Sequence, residues 1–371
     1  MGFVEGGTSD VVATPDRDQV MRSCRQFFGH PPRPVRARLA EIAEAVDDAE
    51  YPDVYGGGAL LESFEGEIAQ LLGKEAAVFM PSGTMAQQIA LRIHSDRRNC
   101  HNVALHPQSH LVASENNAMQ MMHGLQPILL GDRNALYTLA DMQAVLDRLS
   151  AVVLELPERN IGGALRPWDE VLAICGWAQE AKIAMHLDGA RLWESQPFYG
   201  RPLPELTRPF DTVYVSFYKV LNAVAGAALA GPKAIIDEAR AWQWRHGGRL
   251  VQQYPMIISA HDGVRRYLPR VPLYCKRACE IAAILSAFQD VVVTPNTPPT
   301  NMMHVYVRGE IEQLRSTALR VSQQSGVWMP ARWSSTDISG WAMFELSCAE
   351  GSLKISDDQV RELFGSVFIS S

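Results

Sequence analysis

Paired cysteines are missing from this chain. Its six cysteines stand at positions 24, 100, 175, 275, 279 and 348, and no CxxC pair occurs. Cys275 and Cys279 share a helix face, but no two further ligands lie near them, so neither a structural zinc site nor a disulfide framework is expected, and no metal. A long apolar run is also missing: no stretch approaches the ~18 residues that a membrane helix requires. Basic excess is absent, with 34 Lys+Arg against 41 Asp+Glu and a net charge of −7. That balance argues against a dedicated nucleic-acid binder. The first residues, MGFVEGGTSD, show no cationic start followed by an apolar segment, so no secretory signal is expected and the reading is a cytoplasmic protein. What is present is core material. Hydrophobic residues make up 47% of 371 residues, enough for about two domains or one large enzyme fold.

The chain reads as an N-terminal arm and helix over 1–50, a large domain over 51–255 and a small domain over 256–371. Within the arm, Val35, Leu39, Ile42 and Val46 have helical spacing. Leu60–Leu72 is a second amphipathic helix that stops at Gly73. Short apolar strands and helices then alternate: strands near 76–80, 102–105, 151–156, 183–187, 212–217 and 225–230, helices near 84–94, 109–122, 167–181 and 233–244. This alternation predicts an α/β fold with a mostly parallel central sheet covered on both faces. After about Tyr254 the rhythm changes. A long helical stretch over 257–287 is followed by strands near 291–294, 304–307, 327–329 and 341–347 and a helix over 311–324, an α+β module.

Three segments carry chemistry. In Phe79-Met80-Pro81-Ser82-Gly83-Thr84 a strand ends and a helix begins, which exposes backbone N–H groups and two hydroxyls that suit a phosphate. Ser82 could equally be a simple helix cap. In His186-Leu187-Asp188-Gly189-Ala190-Arg191 an apolar strand delivers Asp188 at its carboxyl end, where open α/β sheets bind ligands. In Ser216-Phe217-Tyr218-Lys219 a lysine follows another strand and precedes a run of small residues. A phosphate cradle, a strand-end aspartate and a later lysine together match the needs of pyridoxal phosphate (PLP). The lysine forms the Schiff base, and the aspartate keeps the pyridine nitrogen protonated. His186 reads as a packed core histidine.

With these motifs in order, the chain resembles the threonine aldolase and β-eliminating lyase group of fold-type I PLP-dependent enzymes. The resemblance runs over roughly residues 50–232, through LESFEGEIAQLLGKEAAVFMPSGTMAQQIAL, LHPQSHLVASEN, LELPERNIGG, HLDGARLWES and YVSFYKVLNAVAGAALAG. It implies that Ser82, Gly83 and Thr84 bind the phosphate and that His110 stacks on the cofactor ring. It also implies that Asp188 pairs with the ring nitrogen, that Arg191 lies beside the cofactor and holds the substrate carboxylate, and that Lys219 is the Schiff-base lysine. A homodimer or homotetramer with sites at the interface is a further implication.

The chain departs from the family where substrate is handled. Glu158 stands at the family's histidine position, Val251 at one arginine position and Glu345 at the second carboxylate arginine. The expected activity is therefore that of a PLP-dependent carbon–carbon lyase acting on a β-hydroxy-α-amino acid, with His110 or Glu158 as base. Glu158, placed near the substrate side chain, would disfavour an acidic one, and Arg249 or Arg332 would supply the second carboxylate contact. β-Elimination, racemisation or transamination share the same cofactor residues, and a non-catalytic PLP-binding protein is a third possibility.

Overall fold

The computed structural model describes residues 16–368. Its larger unit is built on seven strands in the order 76–80, 227–231, 212–216, 184–189, 151–155, 102–105, 126–129. All run parallel except Ala227–Gly231, which is antiparallel to both neighbours. Its AALAG sequence is buried at every position and carries no signal of direction, so only the connection reveals it. The strand Gln126–Leu129 is the one that the hydrophobic pattern did not announce. It contains Pro127, which lacks an N–H, and it lies at the sheet edge where that loss is tolerated.

Helix Gly83–Arg98 buries Ala86, Ile89, Ala90 and Ile93 against Val78, Met80 and Leu229 of the sheet. Each fully buried Ile or Leu contributes about 1.5–3 kcal/mol. The expected helix over 109–122 is broken into His110–Ala113 and Ala118–His123, because Asn116 and Asn117 take left-handed backbone angles of 50° and 58°. The stretch over 257–287 is likewise two helices, Tyr254–Tyr267 and Val271–Leu285. Pro269 lies in the break and Pro272 at the start of the second helix, and neither can donate to a continuing helix.

The smaller unit is a four-stranded antiparallel sheet, 334–335, 341–347, 302–308, 291–294, covered by helices Ile311–Ser325 and Asp357–Phe368. Phe344 and Phe364 stack with ring centres 6.0 Å apart in its core. The division between the cores falls later than 255/256. Ile257, Ala260, Val264 and Tyr274 pack in the larger core, whereas Ala278 and Ile281 begin the smaller one. One amphipathic helix, Val271–Leu285, serves both. Residues 26–28 also join the small unit, through pairing of Gln26–Phe27 with Val327–Trp328 and burial of Phe28. Among the described residues no helix is long and apolar enough to cross a membrane.

Candidate active site

Asp188 occupies the penultimate position of strand Ala184–Gly189 and is 1% exposed. Its Oδ1 accepts the Ala190 N–H at 3.1 Å, while Oδ2 is buried with no partner. An unpaired buried carboxylate oxygen is costly, so this atom is suited to a cationic N–H from a bound group. Burial raises the Asp188 pKa, opposed by the Lys219 ammonium and the Ala190 N–H.

Lys219 follows strand Thr212–Ser216 in a loop pinned at several points. The Phe217 N–H donates to Gly226 O at 3.1 Å, the Ala223 N–H donates to Phe217 O at 2.9 Å, and the His30 ring lies 2.8 Å from Val220 O. Gly226, at a φ of 106°, sits where a Cβ would lie 2.4 Å from the Phe79 ring. Burial lowers the lysine pKa and Arg191 lowers it further, while Asp188, Glu155 and Glu194 oppose. The shift is in the direction that imine chemistry requires.

The helix Gly83–Arg98 points its N-terminus at the same end of the sheet. Ser82 is its cap and accepts the Met85 N–H at 3.3 Å. The first N–H groups of a helix, here those of Gly83 and Thr84, have no intrahelical acceptor and bear its positive partial charge. At Gly83 a Cβ would lie 1.9 Å from Tyr214 Oη, so only glycine admits this approach.

His110 opens a short helix, with its Nδ1 3.1 Å from Glu115 Oε1. Glu115 is fixed in turn by Gln88 Nε2 at 2.7 Å. The Glu115 bond raises the His110 pKa above its ordinary value; burial opposes, and Asp188 adds to the rise. Arg191 has Glu194 Oε1 at 3.5 Å and Glu345 Oε1 at 3.7 Å, and its buried Nε is unpartnered. These residues, Asp188, Lys219, His110 and Arg191, are brought to one end of the sheet with the helix cap of Ser82, Gly83 and Thr84.

Of the other sequence-derived candidates, Glu158 lies behind this cluster and Arg249 and Arg332 lie outside it. Glu158 is 2% exposed and turned toward Glu155 and His106, whose Nδ1 is 3.7 Å from Glu158 Oε1. Burial, then Glu155 and Asp188, raise its pKa well above the carboxylate range. Arg249 donates to Tyr55 O and stacks over Trp244 at 4.3 Å, apart from this cluster. Arg332 lines a cleft between the units together with Arg159 and Glu345.

Two residues, Glu155 and Arg159, were not found by reading motifs. Glu155 ends its strand in register with Asp188 and accepts the backbone N–H groups of His110 and Arg159. Burial, with Asp188 adding, takes its pKa up to about 7. Arg159 Nε lies 2.9 Å from Glu345 Oε2. Burial disfavours the Glu345 charge, but His304, Arg191 and Arg159 outweigh it and hold the pKa at about 2. The strand-end position of Glu155 was a usable signal. The Arg159–Glu345 pair was not, since its members come from different units.

The residues fit PLP: Asp188 Oδ2 awaits a cationic donor, Lys219 is buried close by, and a glycine-led helix end offers N–H groups. Comparison with known proteins agrees. The beta-eliminating lyase family model matches residues 33–309. A solved structure from Listeria monocytogenes EGD-E, described as a candidate L-allo-threonine aldolase, is 35% identical, with a TM-score of 0.91 over 95% of this chain and 98% of that one. Aldolase vrtJ of Penicillium aethiopicum is 33% identical over 245 residues, covering 62% of this chain and 60% of the relative. Low-specificity L-threonine aldolase 1 of Arabidopsis thaliana is 27% identical over 76% of this chain and 81% of that protein. The chain belongs to the threonine aldolase and β-eliminating lyase family, and its cofactor is pyridoxal phosphate.

Proposed function

We propose that this chain is a lyase that cleaves, and in reverse forms, the Cα–Cβ bond of a β-hydroxy-α-amino acid, giving an aldehyde and glycine or another small amino acid. The observation that carries this reading is the buried Asp188 carboxylate, one oxygen unpartnered, within electrostatic reach of Lys219 and His110. Its relatives named as aldolases support the choice of bond. When bound, PLP supplies an electron-withdrawing ring that accepts the electron pair left at Cα.

The protein's own groups divide the remaining work. Ser82, Gly83 and Thr84 hold the phosphate, and Asp188 keeps a proton on the ring nitrogen. Lys219 would anchor the cofactor through its buried amine. Arg191 binds the substrate carboxylate. His110 takes the β-hydroxyl proton as the bond breaks. It is favoured over Glu158 because its side chain is about one-third exposed, whereas the Glu158 carboxyl is enclosed. Glu158 is therefore a positioning residue, acting through Glu155.

A homodimer or homotetramer extends this reading. Val35, Leu39 and Tyr51 are 76%, 60% and 84% exposed, an apolar surface that a second copy would cover. Six free cysteines, five of them buried, support a reducing compartment such as the cytoplasm. The activity is tested by incubating the purified protein, loaded with PLP, with threonine, allo-threonine and phenylserine and measuring aldehyde. Release that disappears in Lys219→Ala is expected; no aldehyde from any β-hydroxy amino acid would refute it.

A further inference from the structure

A cleft of about 560 Å³ opens between the two units, beside the catalytic cluster. Its walls carry Arg17, Arg159, Arg332 and His304, and a single carboxylate, Glu345. The cleft communicates with the reaction centre through two of these residues. Glu345 touches Arg191 at 3.7 Å, and the Arg159 backbone N–H donates to Glu155, the register partner of Asp188.

The Glu345 charge is already committed. Its Oε2 faces Arg159 at 2.9 Å and His304 Nε2 at 3.9 Å, and its Oε1 faces Arg191. Arg332 has no hydrogen bond or ion pair among the described residues, and Arg17 has only a cation–π contact with Trp328 at 5.9 Å. Among the described residues these two guanidinium groups thus have no counter-charge, and the cleft is large enough for a small organic ligand. Guanidinium pairs with a carboxylate through two parallel N–H bonds, so a carboxylate is the matching ligand group.

We propose that this cleft receives the β-substituent of the substrate and that Arg332 and Arg17 select a substituent bearing a carboxylate. Arg191 remains the partner of the α-carboxylate. The inference rests on the lyase reading and adds its substrate class. It also reverses the preference expected from Glu158, because that carboxyl faces Glu155 and His106 rather than the cleft.

The test compares 4-carboxyphenylserine with 4-carbamoylphenylserine, which match in shape and differ in charge. The carboxylate compound should show a kcat/KM higher by roughly ten-fold or more, the size of one charge-assisted contact. R332Q and R17Q should bring the ratio toward one, and added salt should do the same, since these groups are exposed. A wild-type ratio at or below one, or a ratio unchanged in both variants, overturns the proposal. Calorimetric binding of 4-carboxybenzaldehyde against 4-carbamoylbenzaldehyde reads the cleft without bond cleavage. Tighter binding of the carboxylate, lost in R332Q, supports the cleft assignment even if no amino acid is cleaved. Equal binding of the two contradicts it even if the lyase activity is present.

Discussion

Glu155 and Asp188 are register partners at the carboxyl ends of adjacent parallel strands, two carboxyls side by side in a buried pocket. They cannot both be ionised cheaply without cationic neighbours. Burial together with the Asp188 charge raises the Glu155 pKa to about 7, and of the carboxyls around Lys219 it is Asp188 that most favours the ammonium.

A stability signature follows. An acid whose folded pKa lies above its unfolded one favours the folded state fully below the unfolded value, near 4.5, and the contribution is lost as pH rises through about 7. The effect is at most roughly 3 kcal/mol. Urea titrations at pH 5 and pH 8 should show wild-type protein losing more stability than Glu155→Gln across that interval. Parallel losses would mean that Glu155 is ionised throughout.

Asp188→Asn should fold normally and lose turnover. The amide oxygen retains the Ala190 contact, but a neutral group cannot hold a proton on the ring nitrogen. A fall in kcat of roughly a hundred-fold or more is expected, with little change in melting temperature. Near-wild-type kcat would show that another residue faces that nitrogen.

Glu115→Gln should shift the pH profile. The carboxylate bond is the leading cause of the raised His110 pKa. If His110 acts as the base, it must be neutral, so the acid limb of kcat/KM should move to lower pH in the variant. A limb that stays in place removes His110 from that role.

Gly83→Ala places a methyl 1.9 Å from Tyr214 Oη and 2.4 Å from its Cζ, within the edge of a ring that lines the core. Overpacking of this kind costs about 1–3 kcal/mol. Thermal denaturation should show the loss, and PLP should bind more weakly because the helix end is displaced. Unchanged stability would mean that the ring swings aside freely.

Much of the site was legible because its members are local events. Asp188 lies at the end of a short apolar strand, Lys219 follows another, and Ser82 caps a helix, so strand ends and caps could be read from a few neighbouring residues. Contacts that join distant segments were hidden. Arg159 meets Glu345, a residue 186 positions later, and no periodicity records that meeting. Glu158 was misjudged in direction: it lies three residues from Glu155, yet its side chain turns into the interior. In the fold, the direction of the antiparallel strand 227–231 escaped because strand pairing, not local sequence, decides it, whereas the helix break at Asn116–Asn117 carried a local signal, since asparagine tolerates left-handed angles.

Product stoichiometry decides the bond that is broken. With L-threonine or its allo isomer as substrate, aldehyde and glycine should appear in equal amounts with no ammonia. Ammonia with 2-oxobutanoate in place of glycine, or an altered stereocentre with neither product, would contradict carbon–carbon cleavage and assign the same residues to elimination or racemisation.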